Sequence, residues 1–295
     1  MKNSNLKILE EKNVIDDHLL DIIGNEFKFD HEKGIAEWLK NSVDAYIRSN
    51  ISDSEQYIVI RFYDGTKQDA IIECIDFNGM TSIDIDKALK RWGDPEAAKR
   101  GLKKKTYGGH GNGGKFYMRQ MFETSHFITY KDGNLNIFGF NKNKKYGFAE
   151  GYKNKKISLD NALKIANFKL EEIPILYQEK IKKLATGFTL VRGITPLGMK
   201  NIIRAYRICD RLKKHPQSMR IMERINIKFI HNGEIIYDQL KPEKIIPLKN
   251  FEIYNIIEIP KKIATNNSGE EMNVEFANNK YQAGKLILKT SETAL

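Results

Sequence analysis

The sequence predicts an α/β two-layer sandwich, a mixed and mostly antiparallel sheet carrying helices, with a β-rich extension at its C-terminal end. Three observations point there. Residues 31–47 repeat apolar positions at helical spacing and lead into two alternating runs, 57–63 and 70–76, joined through Asp64-Gly65. Three aromatic-rich runs at 126–130, 135–140 and 146–148 are divided by the polar turns KDGN and NKNKK, as in an antiparallel meander. Beyond residue 225, strand-like runs outnumber helical ones.

Composition bounds the answer. With 295 residues and 41% hydrophobic content, the chain can bury the core of one large domain or two modest ones. Its 49 Lys and Arg against 38 Asp and Glu leave a net charge of +11, which attracts nucleotides, nucleic acid or another polyanion. A Lys-rich solvated surface gives the same balance. Cys74 and Cys209 are far apart and fit no metal-ligand spacing, which argues against a disulfide scaffold or structural zinc. The N-terminus lacks an apolar signal core, and no run nears the ~18 apolar residues of a membrane helix, so a cytoplasmic protein without a membrane partner is expected.

The elements follow in order. Ile8, Leu9, Ile15, Leu19, Leu20, Ile22 and Ile23 make an N-terminal arm that covers a core edge or contacts another subunit. The first long helix starts at Asp30 or His31. On it Glu37, Lys40, Asn41 and Asp44 share a polar side, while Trp38, Leu39, Val43 and Ala45 pack elsewhere. A carboxylate one turn from an amide suits a helix that holds a metal and aims a water; an ordinary amphipathic helix shows the same pattern. Asp76 ends the second strand and enters Phe77-Asn78-Gly79-Met80-Thr81. A carboxylate there can accept a hydrogen bond from a ligand amino group, with Gly79 bringing the backbone close, and a plain strand-to-helix turn needs no such purpose. Ser82 or Asp84 opens a helix covering Ile85 through Trp92, interrupted at Gly93-Asp94-Pro95.

A basic run then precedes Gly109-His110-Gly111-Asn112-Gly113-Gly114-Lys115, which enters a helix at 116–122. Closely spaced N–H groups at a helix start, with lysines nearby, form a cradle for phosphate oxygens; glycine density alone also makes a mobile loop. Walker spacing is absent and no clear strand precedes the loop, which disfavours a P-loop or a dinucleotide turn. His126 and Tyr130 read as sheet residues. Residues 151–182 carry no clear pattern, with a helix ending near Leu184 before a strand that opens Gly187-Phe188-Thr189. Thr189 there either supports the adenine end of a nucleotide site or simply begins a strand.

Pro196 and Gly198 mark the expected division between domains 1–198 and 199–295. A basic helix at 199–214 carries Arg204, Arg207, Arg211, Lys213 and Lys214 and stops at Pro216. A hairpin about Asn232-Gly233 and strands at 251–259, 271–277 and 284–289 follow, forming either a second lobe or an extension of the first sheet.

Glu37, Asn41, Ser42, Asp44 and Ala45 stand in the spacing E-x-x-x-N-[SA]-x-D-A, with Asp76 at a strand end and a glycine-rich loop entering a helix. Over about residues 15–195 this order resembles the Bergerat-fold ATPase superfamily of gyrase, Hsp90, histidine kinases and MutL, in style closest to the Hsp90, MutL and MORC-like ATPases. The resemblance implies a Bergerat ATP-binding fold and Mg²⁺-dependent ATP binding and hydrolysis that drive lid closure and a conformational or dimerisation switch in a larger assembly. It assigns general-base duty to Glu37 and Mg²⁺ coordination to Asn41, with Asp44 and Ala45 in the nucleotide site. It places Asp76, Gly79, Met80 and Thr189 at the adenine end, and Gly109, Gly111, Asn112, Gly113, Gly114 and Lys115 at the phosphates. A nucleotide-dependent homodimer and an additional protein partner are also implied.

The departures are specific. Asn78 stands at the first glycine position of the family's D-x-G-x-G, which is one residue short before Gly79, and Phe188 separates Gly187 from Thr189. Glu37 is retained and none of the six histidines lies in a phosphoacceptor helix, which favours hydrolysis, slow or partner-dependent, over transfer to histidine. The alternatives from other classes are a non-hydrolysing nucleotide-sensing module and a basic nucleic-acid-binding subunit, whose helix at 204–214 would meet DNA.

Overall fold

In the computed structural model the first long helix and hairpin form where the sequence periodicity places them. The structure describes residues 6–10, 17–27, 30–65, 69–90, 92, 112–172, 175, 178–179, 187–195 and 203–243, and the backbone of 251–259, 264–265, 271–272 and 284–291. Among these, no helix is long and apolar enough to cross a membrane. The chain divides into two compact units, Met1–Glu243 and Lys244–Leu295.

After α1 (Asp17–Gly24), helix α2 (His31–Arg48) starts where the Asp30 carboxylate accepts from the Lys33 N–H at 2.9 Å, an N-cap bond that satisfies an otherwise orphaned donor. Its buried stripe includes Ile35, Trp38, Leu39, Val43 and Tyr46. Strands β1 (Tyr57–Tyr63) and β2 (Ala70–Asp76) pair antiparallel. Helix α3 (Ser82–Ala88) opens on a capping box between Thr81 and Asp84 and stops before the expected Trp92. Helix α4 (Gly113–Met121) begins three residues earlier than expected, so two of the loop glycines belong to its first turn.

Strands β3 (Thr124–Lys131), β4 (Asn134–Phe140) and β5 (Tyr146–Phe148) form the expected meander, and β6 (Lys155–Lys156) adds to β4. The unassigned stretch holds α5 (Leu159–Ala166), capped by the Ser158 hydroxyl and ended by Asn167 in the left-handed region at φ 50°. Strand β7 (Phe188–Thr195) follows. Within the range expected for a basic helix, 199–214, the described residues hold α6 (Ala205–Leu212), and a further helix, α7 (Pro216–Met222), follows the expected stop at Pro216. Pro216 starts the second, because its fixed φ and missing N–H suit a helix's first turn. The hairpin β8 (Asn226–His231) and β9 (Glu234–Tyr237) completes the unit.

Among the described residues these strands make one nine-stranded sheet in the order β5-β4-β3-β7-β2-β1-β8-β9, with β6 on β4. All its pairings are antiparallel except β1 with β8, which run parallel. The β8–β9 hairpin therefore extends the first sheet, and the unit closes at Glu243, not at the expected 198.

One face of the sheet buries Phe62, Ile72, Cys74, Phe127 and Phe138 against α1 to α4, α6 and α7 in a single apolar cluster. The other face is covered more thinly, by Ala162, Leu163 and Ala166 of α5 and by Ile8. In the second unit β10 (Phe251–Ile259) pairs antiparallel with β13 (Gly284–Ser291), and β11 (Ala264–Thr265) with β12 (Glu271–Met272).

Candidate functional site

Helix α2 lies on the helical face of the sheet beside the ends of β2 and β7. The Ser42 hydroxyl donates to Asp76 Oδ2 at 2.8 Å, and the Asn78 N–H donates to Asp76 Oδ1 at 3.1 Å. Strand register sets Thr189 directly opposite Asp76. Thr189 donates to the Asn78 carbonyl at 2.9 Å, its hydroxyl lies 3.0 Å from that of Thr129, and Thr129 Oγ1 accepts from the Met80 N–H at 2.7 Å. The loop after β2 is thus held from β7 beside it and from β3, the next strand over.

Asn78 performs a task that the sequence did not disclose. Its side-chain amide donates to the Ala45 carbonyl at 3.0 Å, and its Oδ1 accepts from Ser49 Oγ at 3.2 Å. Where the family pattern has glycine, this chain has a strut between the loop and the end of α2. Gly79 is required for a different reason from the one expected. A Cβ there would run into the Tyr130 carbonyl, as would one on Gly187, whose φ is 62°. Both glycines serve the packing of backbone on β3.

Asn41, Ala45, Asp76, Met80, Lys115 and Thr189 line a cavity of about 80 Å³. Gly79 belongs to an adjoining cleft of about 270 Å³, which shares Ala45, Arg48, Asn78, Met80 and Ala88 with the cavity. Glu37 stands one turn before Asn41. Its Oε1 accepts from Lys40 Nζ at 2.7 Å, and its Oε2 faces the start of α4 so closely that a Cβ on Gly113 would come within 2.5 Å. Gly114 packs likewise on Asn41, and its carbonyl accepts from Trp38 Nε1 at 3.2 Å. Asn112 precedes α4 and lends its carbonyl to the N–H groups of Lys115 and Phe116. Asp44 is buried and lines neither space, and Gly109 and Gly111 lie outside the described residues.

Two ionisable groups facing the cavity are displaced toward neutrality. Burial pushes the Asp76 carboxyl up to about 7, against the opposing pull of the Ser42 and Asn78 hydrogen bonds and of Arg48. Burial also brings the Lys115 ammonium down to about 7. Lys115 Nζ donates to the Leu89 carbonyl at 3.3 Å and sits 4.6 Å from the Trp92 ring centroid.

The motif residues Asn41, Ala45, Asp76, Met80 and Thr189 are therefore gathered around one space. Arg48, Leu89, Phe127 and Val191 also line it and escaped the sequence reading. For Phe127 and Val191 the usable signal was strand alternation, once β3 and β7 are known to be neighbours. Among the described residues no three His, Cys, Asp or Glu side chains gather as a metal site.

No protein-family model matches the chain, and no curated protein matches it in sequence. Solved structures do align with it. The N-terminal domain of a DNA repair protein is 14% identical with a TM-score of 0.37, over 77% of this chain and 57% of that one. The ATPase region of Saccharomyces cerevisiae topoisomerase II is 15% identical with a TM-score of 0.38, over 80% of this chain and 56% of that one. The chain thus spans just over half the length of either structure.

Proposed function

We propose that the chain binds ATP in the cavity at Asp76 and hydrolyses it with Glu37 as general base. The observation that carries this reading is the placement of Glu37 and Asn41 against the glycine start of α4, on the same helix whose Ser42 fixes Asp76. Base and phosphate chemistry are thereby set along one element.

Asp76 and Thr189 offer acceptor and hydroxyl groups to a purine edge. The first amides of α4, at Gly113 and Gly114, suit phosphate oxygens, those of Lys115 and Phe116 being taken by the Asn112 carbonyl, and a helix start adds a positive dipole end. Mg²⁺ keeps most of its shell as water and phosphate oxygens and needs only one or two protein donors, so the single amide of Asn41 beside Glu37 fits it. Bound there, it would supply charge neutralisation on the phosphates. Glu37 takes the proton of the attacking water, and Lys40 holds one of its oxygens in place.

The proposal extends to lid closure over the phosphates, a nucleotide-dependent homodimer and a further protein partner. Leu19, Ile22 and Ile23, exposed on α1, support a protein contact at that helix. Two observations favour other readings. Glu37 is tied to Lys40 through Oε1 and its Oε2 is crowded by the start of α4, which suits a module that binds nucleotide without turnover. Arg204 and Arg207 are exposed on or beside α6, which suits nucleic acid, although Arg211 pairs with Glu32 at 2.6 Å and Lys214 with Glu243 at 3.5 Å.

The deciding experiment compares wild type with Glu37→Ala in Mg²⁺-dependent ATP binding and phosphate release. Retained binding with turnover reduced at least about 100-fold is expected for loss of a general base. Unchanged turnover removes Glu37 from that role. Binding without hydrolysis in the wild type, with or without a partner, establishes the sensing module.

A further inference from the structure

The cleft that adjoins the cavity has a charge pattern that the nucleotide reading leaves unused. Its walls come from the end of α2, the loop at 79–80, helix α3 and the end of β3, and they carry Arg48, Lys87 and Lys131. Among the described residues, no carboxylate lies within ion-pair distance of any of these three. The acid on the same walls, Asp84, is occupied: its Oδ2 accepts from the Thr81 N–H and hydroxyl, both at 2.8 Å, as half of the α3 capping box. Asp76 is the other nearby carboxyl, and it lies buried at the base of the neighbouring cavity. The cleft, about 270 Å³ in volume, is therefore cationic, with three positive side chains against the one carboxylate on its walls, Asp84.

These cations stand apart from the place where a terminal phosphate would meet Glu37. Arg48 follows Glu37 by eleven residues on one continuous helix, about 16 Å of rise. Ser42, the partner of Asp76, lies between them. If the terminal phosphate faces Glu37 and the base faces Asp76, the cleft opens at the nucleoside end of the ligand.

We propose that Arg48, Lys87 and Lys131 form a second subsite for a phosphate group, joined to the ATP cavity through Ala45, Asn78 and Met80. Only its assignment to the nucleoside end rests on the nucleotide reading; the subsite itself stands on the cleft and its charges. Its ligand is a phosphate group, carried either on the sugar of the bound nucleotide or by a separate small phosphate. Arg48 supplies a planar fork for two oxygens, and the two lysines supply movable point charges.

The test titrates pyrophosphate, MgATP, ADP and ADP bearing a 3′-phosphate into the full chain and into Lys87→Gln/Lys131→Gln, with thermal melts to confirm that the variant is folded. Single Lys87→Gln, at an exposed position, serves if the double variant is not. In the wild type pyrophosphate binds, and the substitutions weaken it about tenfold, the order expected for losing charge-assisted hydrogen bonds. MgATP affinity changes by less than about threefold, as for distant, solvent-screened charges. A gain for the 3′-phosphorylated ADP over ADP, present in the wild type and absent in the variant, identifies the sugar phosphate as the source; pyrophosphate binding without that gain identifies a separate anion. The proposal is overturned if neither pyrophosphate nor the 3′-phosphate shows a Lys87- and Lys131-dependent effect, or if MgATP is weakened as much as pyrophosphate. If pyrophosphate binds through these lysines while ATP does not bind at all, the subsite stands and the nucleotide reading fails.

Discussion

Asp76 is the residue whose environment has the most measurable consequence. Its folded-state value of about 7 lies above the ordinary 3.8, so the protonated form is the one burial favours. The contribution to stability is complete below the unfolded value and is lost as pH rises through about 7. Asp76→Asn keeps an acceptor for Ser42 and removes the titration. The melting temperature of this variant relative to wild type is expected to climb as pH is raised from 4 to 7 and to level off above, with a total gain of roughly 2 °C or more. A constant difference across that range would place the carboxyl at its ordinary value. Asp76 itself was legible from its place at a strand end. Its bond to Ser42 and the strut made by Asn78 were not, because each depends on how α2 crosses the loop.

At the scale of elements, the back of the sheet is bound to its thin cover by charge as well as by apolar contact. Glu73 of β2 accepts from Arg61 of β1 at 2.7 Å and from Arg192 of β7 at 2.5 Å, all three buried. Arg61 reaches on to the Asn167 carbonyl at 3.1 Å and Glu172 at 3.0 Å, while Arg192 donates to the Ala166 carbonyl. These bonds join three strands to the end of α5. Glu73→Ala leaves two guanidinium groups buried without their shared anion, a change expected to cost about 3–5 kcal/mol, read from the urea midpoint. A loss below about 1 kcal/mol would show that water replaces the carboxylate. In sequence these three residues look like the polar half of alternating strands. Helix α5 was illegible for a related reason: eight residues give barely two turns of periodicity, and its apolar side is mostly alanine.

The whole molecule divides after Glu243, and the first unit contains the candidate site and the complete nine-stranded sheet among the described residues. A chain ending at Glu243 is expected to melt cooperatively and to bind MgATP within about threefold of the full chain, measured by calorimetry. Loss of the transition would show that the first unit requires the second. The sequence placed the boundary at Pro196 and Gly198, which lie outside the described residues. It missed the true division because pairing of β8 with β1 is a relation between distant segments, and local punctuation carries no trace of it.

That parallel pairing also orders events in time. Residues 226–231 must return to residues 57–62, and such non-local closure is slow compared with forming a hairpin. During synthesis β1 pairs with β2 early, yet the backbone of its other edge, residues 57–62, waits for the last strands of the unit to emerge. Until then the nascent chain presents an unpaired strand edge, the kind of surface that recruits chaperones or other unfinished chains.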